Sequence, residues 1–136
     1  MEFVRFADGD AWLLWLIPSS GCDLEALLHS YVFAARAAIP PYTQVRECLA
    51  RGVQAGVVMP PMGGRFALDP CWDKRFKQIV EAHSPSEYGI MELDEFLAAA
   101  DRPAVGPEFE LDEAEYRRAA ERVDRHYAEV FRRHSR

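Results

Sequence analysis

Apolar residues in this chain recur mostly at three- and four-residue spacing, the mark of helices that bury one face. The first run is apolar on nearly every side. Trp12, Leu13, Leu14, Trp15, Leu16 and Ile17 follow Asp8 and Asp10, either of which suits a helix cap. Such a segment is expected at the centre of the core, ending at Pro18-Ser19-Ser20-Gly21. Asp23 predicts the cap of a second helix. Leu24, Leu27, Leu28, Tyr31, Val32 and Ala35 share its inner face, leaving Glu25, His29, Ser30 and Arg36 outside. Ile39-Pro40-Pro41 stops it, because proline turns its predecessor away from helical angles. A third helix is expected from Pro41 or Tyr42, with Val45, Cys48, Leu49, Gly52 and Val53 inward and Gly56 as terminator.

The period then changes. Val57-Val58-Met59 and Phe66-Ala67-Leu68 are β-prone runs around Gly63-Gly64, which predicts a hairpin. Asp69-Pro70 sets a cap with proline at the first helical position, so a fourth helix follows, burying Trp72, Phe76, Ile79 and Val80. Residues 84–111 read as an acidic connector holding a short helix near 92–100, which docks through Leu93, Phe96 and Leu97. The final segment, 112–136, carries the strongest helix signals. Asp112 and Glu115 have capping-box character, and Leu111 with Tyr116 fits a hydrophobic staple. Tyr116, Ala120, Val123, Tyr127 and Val130 form an apolar seam. Glu113 with Arg117, Glu121 with Arg125 and Glu129 with Arg133 are spaced four apart, acid first, the favourable order. One continuous helix over 112–133 is predicted, its seam buried either on its own domain or on a second chain.

The fold class that follows is mainly α with a small antiparallel β-hairpin. A net charge of -6 argues against a broad nucleic-acid-coating surface, though not against one local basic face. Cys22, Cys48 and Cys71 form no CxxC pair, and His29, His83, His126 and His134 show no ligand spacing. No metal and no cofactor are therefore expected. The apolar run 11–17 is too short to span a bilayer, and the acids before it do not suit a signal peptide, so no membrane partner and a cytoplasmic location are expected. Gly63-Gly64 lacks the ending of a phosphate loop, the acids around Glu92 and Glu95 read as solvating, and nothing marks a nucleophile. The chain is expected not to be an enzyme, with no catalytic residues.

The order of helices and hairpin carries a resemblance. Ile39-Pro40-Pro41-Tyr42, Leu49, Gly56-Val57-Val58 and Gly64-Arg65-Phe66-Ala67-Leu68 resemble a bacterial-type winged helix-turn-helix domain, with Pro41 where a capping threonine is usual. The likeness spans residues 24–68, about a third of the chain, within a domain drawn at 1–83. It implies that the third helix enters the major groove of double-stranded DNA while the hairpin touches the backbone. Gln44, Arg46, Arg51, Gln54, Arg65, Lys74 and Arg75 are then the DNA-contacting candidates, since Arg and Gln suit guanine and adenine edges. A dimeric transcription regulator is one expectation. The other is an adaptor that binds a protein through the winged helix or the C-terminal helix. Exposed apolar surface at residues 59–62 or 116–130 would favour the adaptor.

Overall fold

Aspartate side chains cap three of the six described helices at their starts. The computed structural model describes residues 2–83 and 85–134. In it, Asp23 accepts a hydrogen bond from the Ala26 amide at 2.7 Å and opens a helix, α2 (Leu24–Ala35). Asp69 accepts from the Cys71 and Trp72 amides at 3.1 and 3.2 Å, with Pro70 opening α4 (Pro70–Glu81). Asp112 accepts from the Glu115 amide at 3.1 Å and opens α6 (Glu113–His134). The remaining elements are β1 (Phe3–Val4), α1 (Asp10–Leu14), β2 (Cys22–Asp23), α3 (Tyr42–Gln54), β3 (Arg65–Phe66), α5 (Ser86–Ala98) and β4 (Arg102–Pro103).

The expected cap of α1 is corrected. Neither Asp8 nor Asp10 caps it; Gly9 occupies that position and has no side chain to offer. The cap arrives from α5. Asp94 accepts from the Gly9 amide at 3.0 Å and from the Ala11 amide at 3.2 Å. A carboxylate read as solvating therefore ties two distant helices together. α1 is also shorter than its apolar run, which continues as tight turns through Leu16 and Ile17. The run still sits in the core, with Leu13, Leu14 and Ile17 buried.

The hairpin forms where Gly63 and Gly64 predict it. Both adopt positive φ, 59° and 74°, as a type I′ turn requires, and Met62 pairs with Arg65 across it. Further from the turn, Val58 bridges Leu68 and the Met59 amide reaches the Ala67 carbonyl at 2.8 Å. The return strand β3 has a second partner, β2, with Cys22 opposite Phe66 and Asp23 opposite Arg65. A second two-stranded sheet pairs β1 with β4.

Residues 84–111 are more ordered than a connector. α5 begins at Ser86, six residues before the expected start, and packs on α4 and α1. Ile90, Leu93 and Leu97 join one core cluster that runs from Val4 to Val123. α6 is continuous as predicted and lies on α2 of the same chain. Its Ala119 and Val123 are buried; Tyr116, Ala120 and Tyr127 pack at the edge of the core, and Val130 is half-buried. His83 closes α4, while Ser84 lies outside the described residues.

Candidate functional site

The inner face of α3 is the predicted one. Val45, Cys48, Leu49, Gly52 and Val53 are all buried, which aims the opposite face outward. Thr43, Gln44 and Glu47 are exposed there, and Arg46 is half-buried. The Arg46 guanidinium lies 5.5 Å over the Tyr42 ring and 3.6 Å from Glu47.

Arg51 is not on that solvated face. Its Nε and terminal NH2 donate to the two carboxylate oxygens of Asp10 at 2.8 and 2.9 Å, a two-pronged pair. Asp10 is only 3 % exposed, so this charge is neutralised inside the protein. The hydrogen bond to Asp10 raises the Arg51 pKa further. Beside the pair, burial pushes the Cys48 thiol well above its ordinary value, followed by the field of Asp10.

Among the other candidates, Arg65 is exposed on the hairpin and donates to the Gly21 carbonyl at 2.8 Å. Lys74 is exposed. Arg75 rests 5.2 Å over the Phe96 ring, directed toward α5 and not toward α3. Two of the basic candidates, Arg51 and Arg75, are thus engaged within the fold, while Arg65 and Lys74 stay exposed.

What does meet the outer edge of α3 is an acidic strap, residues 104–111. The Gly106 amide donates to the Gln54 carbonyl at 2.9 Å, at the C-terminal end of the helix. Glycine is required there: a Cβ on Gly106 would stand 2.1 Å from the Val53 carbonyl oxygen. Phe109 then meets Phe66 of the hairpin edge-on, ring centroids 5.7 Å apart. At the N-terminal end of α3, the Tyr42 hydroxyl donates to the Leu111 carbonyl at 2.6 Å. The Tyr116 hydroxyl donates to the Pro40 carbonyl at 2.5 Å, locking α6 to the same corner. The strap thus runs antiparallel to α3, and an open cavity of ≈ 390 Å³ separates Arg46, Ala50 and Gln54 from Glu108, Phe109 and Glu110.

Sequence reasoning missed Asp10, Glu108, Phe109 and Glu110 as members of this site. The only hint was an isolated Phe109 and Leu111 within an acidic stretch, too sparse to define a periodic face. The hairpin tip is apolar and open: Met59 is 46 % and Met62 82 % exposed. The C-terminal seam is the reverse case, largely covered by α2. There Tyr127 stacks on His29 at 5.2 Å, and Arg122 approaches Glu25 at 3.7 Å.

Among the described residues, no group of three or more His, Cys, Asp or Glu side chains could hold a metal ion. No described helix is long and apolar enough to cross a membrane. Comparison with family models, curated proteins and solved structures gives no match.

Proposed function

We propose that this protein is a non-enzymatic interaction module whose hairpin tip docks on another protein. The acidic strap carries this reading. It lays Glu108 and Glu110 along the edge of α3 that would face phosphates, while Asp10 consumes the Arg51 charge. Adding Glu47, the helix presents a mainly acidic surround, which repels a polyanion. The hairpin tip has the opposite character. Met59 and Met62, set around two prolines, form a compact apolar contact, and flexible methionines adapt to a partner surface.

DNA binding by a winged helix is the second reading, favoured by the element order α1, β2, α2, α3 and hairpin, with Arg65 and Lys74 exposed. One titration separates the two. Mixed duplex DNA at about 50 mM salt should show no binding, since phosphate contacts are strongest at low salt and would appear there first. Binding that weakens steeply as salt rises would establish the DNA reading and overturn ours. A Met59→Asp, Met62→Asp variant, which should keep its melting temperature, then identifies protein partners as those lost on substitution.

A further inference from the structure

A second apolar surface lies away from the hairpin, where α2 ends against α6. Val32, Phe33, Ile39, Tyr127 and Phe131 line a groove of ≈ 570 Å³, with Val123 in its floor. Phe33 and Phe131 stand at the lips and are 76 % and 71 % exposed. Two exposed phenylalanines on one groove are costly in water, and each is a standard anchor at protein interfaces.

We propose that this groove is the twofold interface of a homodimer, filled by the same face of a second copy. The face is self-complementary. An isologous contact places residue i of one copy against j of the other, and j against i. The groove carries one cation and one anion, Arg36 and Asp124, both exposed. A twofold axis between them sets each Arg36 beside the other copy's Asp124, and the apolar remainder meets itself. The projecting Phe131 supplies a knob and the cleft between α2 and α6 a hole, on one surface.

Backbone geometry agrees. Arg36 holds φ 51°, the left-handed region where glycine is usual, and so stops α2 while keeping a long cationic side chain at the groove. Such strain in a non-glycine residue concentrates where a contact uses it. The four phenylalanines of a dimer would bury on the order of 400–700 Å², a quarter to nearly half of a standard interface of about 1,600 Å². The groove walls supply further area.

Sedimentation of the full chain, with and without charge reversal, tests the pairing. At about 100 µM the wild type should sediment at twice the 15.5 kDa chain mass. Arg36→Asp alone and Asp124→Arg alone should each be monomeric, because every cross-axis pair becomes like-charged. An equimolar mixture of the two variants should form heterodimers, since each copy then supplies what the other lacks. A wild-type circular dichroism spectrum and a cooperative melting transition, lower than the dimer's by the lost association energy, confirm that both variants fold. A wild type that stays monomeric at this concentration overturns the proposal, and so do variants that remain apart when mixed. Neither result bears on the proposed function, whose own tests are the DNA titration and the Met59→Asp, Met62→Asp variant.

Discussion

Replacing Arg51 with alanine should destabilise the fold strongly, and the size of the effect follows from where its charge sits. Asp10 is 4 % exposed at its side chain, and Arg51 satisfies both of its oxygens. Without the guanidinium, the carboxylate keeps the hydrogen bond from the Ala7 amide at 2.9 Å but loses its counter-charge. Removing one partner of a buried ion pair costs about 3–5 kcal/mol. Arg51 is 23 % exposed, so water can partly replace it, and the lower end, about 3 kcal/mol, is expected. For a chain of this size that corresponds to a fall of roughly 9–15 °C in Tm. Urea and thermal unfolding followed by circular dichroism measure it. A cycle with Asp10→Asn isolates the pair: Arg51→Ala with Asp10→Asn should lose less than the two single changes together, with coupling of about 1.5–3 kcal/mol. An Arg51→Ala protein melting within about 2 °C of wild type would refute this account, and would return Arg51 to the list of side chains free to meet an external ligand.

Asp94→Ala should cost about 1–2 kcal/mol by uncapping α1, whereas Glu92→Ala and Glu95→Ala should stay within about 0.5 kcal/mol, as urea midpoints would show. A thiol reagent should label exposed Cys71 first and reach Cys48 only on unfolding. Because burial lifts the Cys48 thiol well above 9.0, the folded chain keeps a proton that the unfolded chain releases. That contribution is complete below pH 9 and declines as pH rises beyond it, so Cys48→Ala should flatten the alkaline loss of stability. Gly106→Ala should destabilise by about 2 kcal/mol or more, because its Cβ meets backbone that cannot yield; unchanged melting would mean the strap lifts freely from α3.

Legibility tracked the range of the interaction. Asp23, Asp69 and Asp112 cap residues two or three positions away, and each start was readable from the sequence. The inner face of α3 was read residue for residue, because helical periodicity encodes it locally. The cap of α1 was not, since its carboxylate comes from Asp94 and no local pattern records that partner. The two-residue strands β1, β2 and β4 are too short to alternate, so their pairing left no trace in the hydropathy pattern. At the site, outward residues of α3 were named but their neighbours were not. Arg51 looked solvated because a helical wheel cannot see Asp10 behind it, and the strap looked like linker because it has no period of its own.

The dependence of α1 on Asp94 also sets an order of events for the nascent chain. When α1 leaves the ribosome its cap lies 85 residues downstream from Gly9, still unsynthesised. At roughly 5–20 residues per second the wait is about 4–17 s, far longer than helix formation itself. During that interval the most apolar segment of the protein, Trp12 through Ile17, has neither its capping carboxylate nor the α5 surface that covers it. Until then it can shelter against α2 and α3. The stretch most in need of burial is thus completed late, and holdase chaperones should find their strongest site on partial chains there, before α5 emerges.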